Sequence, residues 1–264
     1  MINKQIDLSS AGQLIQDGQS IALGGNSIHR FPGSFVRELA RQKKKKLTLI
    51  KTAGAYDVDL LCLSQSVKAV HAGFVGFESE FGLAQNYRAA VEAGTVQALE
   101  HACYTVIAGL RAAAFGIPFM PFASLGKSDL LRVRNFLVQK DPFGSGKEVV
   151  LVQRLRPDWA IIHAQEADLE GNASIIGPHY EDLLMSRAAR AVIITTERIV
   201  KSSCFQKKPD AVHIPGFLVH SVVESPKGAF PGSCFGEYDY DSHAIRHYLS
   251  LQSKDLPEYL EEVK

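Results

Sequence analysis

The strongest constraint on the fold is a set of short apolar segments that alternate with helical ones. Several are apolar at every position, which is typical of strands buried on both faces of a parallel sheet. Strands that alternate with helices predict an α/β protein with an open, mostly parallel twisted sheet flanked by helices. The predicted strands are 20–23, 47–52, 69–75, 119–123, 149–153, 159–164, 191–196 and 217–223. The predicted helices are 8–16 (capped by Ser9 or Ser10), 32–41, 58–63, 83–93, 99–115, 180–189 and a polar terminal helix over 242–264.

Composition excludes several classes of protein. Of the 264 residues 46% are apolar, and the net charge of +1 does not favour nucleic acid or an anionic membrane as a partner. No stretch rich in proline, glycine or serine divides the chain, so we expect a single domain over residues 1–264. No apolar run reaches membrane-spanning length, and the N-terminus lacks a signal core. Four cysteines without a CxxC pair indicate free thiols in the cytoplasm, and no grouping of ligand residues predicts a metal site.

The most informative local segment is the junction after the first predicted strand. Gly24 and Gly25 end this strand, and Asn26 begins the loop that leads to Pro32 and the next helix. Such a junction points backbone N–H groups at the place where open α/β sheets bind ligands. The alternative is a tight turn that binds nothing. The GxGxxG fingerprint is absent, so a nicotinamide cofactor is not expected.

The same junction resembles the N-terminal signature of family I coenzyme A-transferase α subunits. Asn26 and Arg30 stand where most of that family has phenylalanine and glycine. With arginine at this position, the segment resembles the glutaconate CoA-transferase branch of these α subunits and the related hydrolases of cyclic CoA esters. The resemblance covers nearly the whole chain, in order and at about the family's spacing. It continues through residues 78–82, 86–88, 92–94, Glu100, 111–119, 158–164, 168–172, 215–216 and 238–241.

The resemblance implies a CoA-transferase or Rossmann-like fold and a ping-pong transfer of CoA between an acyl-CoA and a carboxylic acid. In that family the thioester is attacked by a glutamate of the β subunit. No Ser-Glu-Asn-Gly segment occurs here, so the β subunit of a heterodimer or heterotetramer is expected to carry the nucleophile. A CoA thioester is then a substrate, and no permanently bound cofactor is expected. Two alternatives are a ring-opening hydrolase on the same scaffold and a non-enzymatic ligand-binding domain.

The candidate site residues each have a structural alternative. Asn26 either donates its amide to a thioester oxygen or holds the turn, and Glu100 is either a buried acid near the reacting centre or a carboxylate at a helix N-terminus. The Gly24-Gly25-Asn26 loop is expected to supply part of an oxyanion cradle. The expected catalytic residues are Glu100 and Asn26, and the expected substrate- or CoA-binding residues are Gly24, Gly25, Asn26, Arg30, Glu78, Glu80 and Asn86.

Arg30 either pairs with a substrate carboxylate or forms a surface salt bridge. Glu78 and Glu80 either act as acids in a hydrolase or are solvated. His163 lies in an apolar run, where a lone histidine is more often a hydrogen-bonded core residue.

Overall fold

A mostly parallel sheet forms the centre of the computed structural model, which describes residues 2–123, 128–134 and 136–263. Its strand order is β11-β10-β8-β1-β2-β3-β4, with the short β9 antiparallel to β8. All other neighbours in this sheet pair in parallel, which confirms the predicted fold class. The strands are β1 Ser20–Leu23, β2 Leu47–Gly54, β3 Val67–Val75, β4 Gln97–Glu100, β8 Trp159–Asp168, β9 Ala173–Ser174, β10 Ala191–Val200 and β11 Val219–Glu224.

Helices cover both faces of the sheet, as crossover connections between parallel strands require. One core contains buried side chains from α1, α2, α3, α10 and α11, and a second core contains those from α6 and α8. The helices are α1 Leu8–Leu14, α2 Gly33–Arg41, α3 Tyr56–Leu63, α4 Glu78–Phe81, α5 Gln85–Glu92, α6 Cys103–Ala114, α7 Leu130–Val133, α8 Asp182–Ala188, α9 Ser202–Lys207, α10 Ser242–Ser250 and α11 Leu256–Glu262.

The order of the strands reverses beside β1. Strands β2, β3 and β4 extend from β1 in one direction, whereas β8, β10 and β11 extend in the other. In open α/β sheets the crevice outside the carboxyl ends of the strands at such a point is the usual ligand site. The loop that follows Leu23 leaves β1 at this crevice.

A second, three-stranded sheet lies outside the central one. It has the order β5-β7-β6 and is antiparallel, with β5 Phe119–Phe122, β6 Leu137–Lys140 and β7 Glu148–Gln153. Val150 and Val152 of β7 pack with Ala108 of α6 in a small core. The strands predicted at 119–123 and 149–153 therefore exist, but their assignment to the parallel sheet was wrong.

Three other expectations from the sequence need correction. Residues 99–115 do not form one helix, because Glu100 ends β4 and α6 begins at Cys103. The C-terminal tail forms two helices rather than one. Asp7, not Ser9 or Ser10, caps α1, and its carboxylate accepts from the amide of Ser10 at 2.8 Å. No helix in the described part of the chain has both the length and the apolar character needed to cross a membrane.

Candidate active site

The backbone amides of Gly24, Gly25 and Asn26 in the loop after β1 donate within the chain. The Gly24 amide donates to the Ile161 carbonyl at 2.8 Å and the Gly25 amide to Asp182 Oδ1 at 2.9 Å. The Asn26 amide donates to the His29 carbonyl at 2.9 Å. The expectation that these three amides cradle an oxyanion is therefore wrong for the main chain.

The Asn26 side chain remains available at the crevice. It is half-buried and has no hydrogen-bond partner among the residues that the structure describes. The next residue, Ser27, fixes the loop: its amide donates to the Ala53 carbonyl at 2.8 Å and its hydroxyl to the Gly76 carbonyl at 3.3 Å. These bonds hold Asn26 beside the carboxyl ends of β2 and β3 on a fixed backbone.

Arg30 is a buried residue whose guanidinium binds groups of the chain itself. Its Nη2 lies 2.5 Å from Asp182 Oδ2, and the two side chains are 3% and 0% exposed. Nη1 donates to the His163 carbonyl at 2.7 Å and Nη2 donates to the Pro178 carbonyl at 2.9 Å. The guanidinium is thus committed to the chain, and the expectation that it pairs with a substrate carboxylate or forms a surface salt bridge needs correction.

A second buried ion pair supports the loop. Lys51 Nζ lies 2.5 Å from Asp57 Oδ2, with both side chains fully buried, and also donates to the Gly24 carbonyl at 2.7 Å. Sequence reasoning missed this pair, although a lysine inside the apolar segment 47–52 was the available signal, because lysine is rarely buried without a partner. Lys51 thus holds the Gly24 carbonyl in place, and Asp182 holds the Gly25 amide.

Among the described residues, four of the eight non-glycine residues with positive φ lie near the crevice. Ser27, Arg30, Glu78 and Tyr180 have positive φ angles of 48°, 52°, 61° and 47°. Such a conformation is uncommon for residues other than glycine and persists only where the surrounding structure enforces it, often at functional sites. These residues come from the ends of different strands and from the segment before α8, which marks the crevice as a candidate site.

The predicted acidic residues lie in different places. Glu78 follows β3 and is exposed. Burial raises the pKa of the Tyr180 hydroxyl. The charge of Arg30 lowers this pKa, whereas the charges of Asp182, Glu181 and Glu78 raise it. Glu100 ends β4 and is exposed, so the expectation of a buried acid needs correction. It lines a separate cavity of about 410 Å³ with His101.

Glu80 and Asn86 have structural partners. Glu80 accepts from the Tyr240 hydroxyl at 2.8 Å, which ties α4 to the C-terminal segment. The Asn86 carboxamide donates to the buried Asp59 at 2.7 Å. The structure therefore assigns these two side chains to internal contacts rather than to the crevice.

His163 is a hydrogen-bonded core residue in a network that the sequence did not reveal. Its Nε2 lies 2.7 Å from Glu197 Oε1 and its Nδ1 lies 2.9 Å from Thr195 Oγ1. Glu197 also accepts from the Tyr238 hydroxyl at 2.6 Å, and burial raises the pKa of Tyr238 well above its usual value. Ligand atoms of His163, Glu197 and Cys234 lie within 4.8 Å of one another, but a metal ion there would have to displace these hydrogen bonds.

An open cavity of about 620 Å³ adjoins the loop after β1. His29 and Arg30 contribute to its wall, together with the segment before α8 and the segment 233–239. The Arg30 amide donates to the Ser233 carbonyl at 2.7 Å, so the loop and the far wall are directly bonded. The loop that carries Asn26 thus adjoins, through His29 and Arg30, a space large enough for a small organic group.

Comparison with known proteins gives a consistent result. Residues 7–225 match the coenzyme A transferase family. The chain is 30% identical to the A (α) chain of glutaconate CoA-transferase of Acidaminococcus fermentans over 99% of this chain and 88% of that protein. It is 31% identical to the IpdA subunit of the cholesterol ring-cleaving hydrolase of Mycobacterium tuberculosis, over 97% and 90% of the two chains.

A third relative, from Archaeoglobus fulgidus, is 34% identical over 95% of this chain, but the match spans only 56% of that protein. Solved structures agree with the sequences. The crystal structure of the Acidaminococcus glutaconate CoA-transferase matches with a TM-score of 0.91 over 98% of this chain and 88% of that one. A variant of the decarboxylase AibA/AibB matches with a TM-score of 0.90 and 33% identity over 100% and 99% of the two chains.

The chain therefore belongs to the coenzyme A transferase family, and it matches the family's A (α) subunits along nearly all of its length.

Proposed function

We propose that this chain is the α subunit of a heteromeric CoA-transferase that moves CoA between an acyl-CoA and a carboxylic acid. The nucleophilic glutamate then belongs to the β subunit. The observation that carries the proposal is the likeness to the α subunit of glutaconate CoA-transferase, at 30% identity and a TM-score of 0.91 over almost the whole chain. The crevice beside β1, with its strained backbone and free carboxamide, agrees with it.

The proposed chemistry is a double displacement. On the β subunit, the glutamate carboxylate attacks the thioester carbonyl carbon, and the CoA thiolate leaves to give an acyl-glutamyl anhydride. The thiolate then attacks the glutamyl carbonyl and releases the first carboxylic acid, which leaves a glutamyl-CoA thioester. The same steps in reverse load the second acid. In this scheme the Asn26 carboxamide donates to the carbonyl oxygen as negative charge develops on it.

The need for a partner is supported by apolar surface on the small antiparallel sheet and the end of α6. Phe143 is 95% exposed and Leu137 is 71% exposed, and Phe115 is 67% exposed. Large exposed apolar groups of this kind are typical of permanent subunit interfaces. The proposal therefore includes a heterodimer or heterotetramer with a β subunit.

Three further parts of the proposal follow the family. The CoA thioester is a substrate, and no cofactor is permanently bound. A cytoplasmic location is supported by the four cysteines, all of which are free thiols. Residues 1–264 act as one domain, since the two main cores lie on opposite faces of one sheet.

Trapping of the covalent intermediate tests the proposal. The chain is co-expressed with its β subunit, incubated with acyl-CoA and treated with borohydride, which reduces a glutamyl-CoA thioester and leaves a modified glutamate on the β subunit. We expect this modification, together with transfer of CoA to an added carboxylic acid. The purified single chain should be inactive, and transfer by the single chain at ordinary turnover would contradict the proposal.

The likeness to the IpdA subunit favours a second candidate, a ring-opening hydrolase of cyclic acyl-CoA substrates. Glu78 and Glu100 are exposed carboxylates without an ion-pair or side-chain hydrogen-bond partner among the described residues, so both are accessible to a substrate and to water. The trapping experiment separates the two candidates. A hydrolase consumes a cyclic CoA ester with retention of the thioester and forms no borohydride-sensitive adduct.

A further inference from the structure

The cavity of about 620 Å³ beside the loop after β1 has an unusual balance of charge for a site that handles acids. Apart from Arg30, no lysine or arginine lines it among the residues that the structure describes. Arg30 is 2% exposed and is already shared among Asp182 and two carbonyl groups. Three donor contacts of the guanidinium are therefore made inside the chain, and the carboxylate of Asp182 already balances its charge.

The other charged groups of the wall are acidic. Glu237 and Asp239 both line the cavity and are exposed. Arg198 pairs with Glu237 at 2.6 Å, but it also pairs with Glu166 at 2.9 Å, so two carboxylates already share its charge. Asp239 forms no ion pair or side-chain hydrogen bond in the described part of the chain. A second carboxylate on the acyl group would thus meet like charge without a compensating cation.

Apolar side chains supply much of the remaining surface, beside the polar His29, Ser233 and Tyr238. Phe235 is 63% exposed, Ile176 is 41% exposed and Tyr180 is 37% exposed, and all three line the cavity. Phe235 also lies against Gly177, where an added Cβ would come within 2.8 Å of the ring. Exposed apolar groups around a concave space gain free energy when an apolar ligand covers them.

We propose that this cavity binds the tail of the acyl group and selects an uncharged, apolar tail over one that ends in a second carboxylate. The inference rests on the proposed function and names its substrate class. In the sequence, Arg30 suggests a partner for a substrate carboxylate. The proposed selectivity is the opposite, because Asp182 already neutralises the charge of Arg30 inside the protein. The acyl tail packs on Phe235, Ile176 and Tyr180, and the carboxylates of Glu237 and Asp239 repel a dicarboxylate.

A pair of shape-matched thioesters tests the inference. Glutaryl-CoA ends in a carboxylate, and 5-methylhexanoyl-CoA replaces that group with an isopropyl group of the same branching. With the co-expressed two-subunit enzyme we expect kcat/KM for 5-methylhexanoyl-CoA to exceed that for glutaryl-CoA about tenfold or more. Equal values, or a preference for glutaryl-CoA, would overturn the inference and leave the proposed function intact.

Calorimetric binding of the same two thioesters separates this inference from the proposed function. Tighter binding of 5-methylhexanoyl-CoA without any CoA transfer would support the cavity's selectivity while the proposed function fails. Absence of both transfer and a binding preference would overturn both.

A charge variant gives the converse test. Asp239→Arg places a cation on the cavity wall and should raise the ratio of glutaryl-CoA to 5-methylhexanoyl-CoA activity about tenfold or more. Asp210→Arg makes the same charge change at an exposed residue that does not line the cavity, and it should leave the ratio unchanged. A ratio that shifts equally in the two variants, or in neither, would overturn the inference.

Discussion

The ion pair between Arg30 and Asp182 provides the sharpest test of how the crevice is held. Asp182→Asn keeps the size of the side chain and leaves an oxygen that accepts from the Gly25 amide, but it removes the negative charge. The Arg30 guanidinium then stays buried, with only the carbonyl groups of His163 and Pro178 as partners. Breaking a buried pair in this way costs about 3–5 kcal/mol, and the two remaining carbonyl partners place the loss at about 3 kcal/mol.

The free energy of unfolding can be measured by urea titration of the isolated chain, followed by the fluorescence of Trp159, its only tryptophan. With about 2 cal/mol/K of unfolding entropy per residue, the same loss lowers Tm by about 5 °C. Asp129→Asn is the matched control, because the pair of Asp129 with Arg132 is 86% and 82% exposed and its loss should cost less than about 1 kcal/mol. A change below about 1 kcal/mol for Asp182→Asn would refute the argument that this pair clamps the loop.

Three further outcomes can be measured. Asn26→Ala should lower kcat of the two-subunit enzyme about 100-fold or more with little change in the far-ultraviolet circular dichroism, whereas an unchanged kcat would exclude the carboxamide as an oxyanion donor. Lys51→Met should lower the free energy of unfolding by about 3 kcal/mol, because Asp57 stays buried without its partner; a urea midpoint equal to that of the native chain would contradict this. Burial, together with nearby positive charge, lowers the pKa of His71 to about 4 and that of His101 to about 3, so both are neutral in the folded chain at pH 5 but charged in the unfolded chain. Stability should therefore fall by about 1–2 kcal/mol for each histidine between pH 7 and pH 5, and urea titration of His71→Phe should show a smaller fall.

The central sheet was predictable because continuous apolar segments and intervening helices leave few alternatives. The antiparallel sheet was not, since Phe119–Phe122 and Glu148–Gln153 have the same apolar character as buried parallel strands. The pattern of apolar residues indicates that a strand is buried, but it does not show whether the neighbouring strand runs parallel or antiparallel to it. Local propensity also misplaced the start of α6: the segment Gln97–Glu100 favours a helix by composition, but pairing with β3 makes it an edge strand.

The site was predictable in position but not in its details. The double glycine marked the crevice, because a strand that ends in glycines at a loop is visible in the sequence. The partners of the loop amides were not visible, since Asp182 lies 157 residues from Gly25 along the chain. For the same reason the sequence could not show that Arg30 is neutralised internally. Within the cavity segment 233–239, only Tyr238 and Asp239 belong to a segment that resembles the family.

Holding the loop in place and contacting the acyl group are tasks of different residues in this chain. Arg30 joins the loop after β1 to β8, to Pro178 and to α8, whereas the cavity surface is formed by exposed side chains on neighbouring segments. Substitutions at Ile176, Phe235 or Asp239 can therefore alter which acids fit without loosening the sheet edge. Related proteins can diverge toward new acids by replacing residues of this lining while they retain the buried ion pair of Arg30 and Asp182.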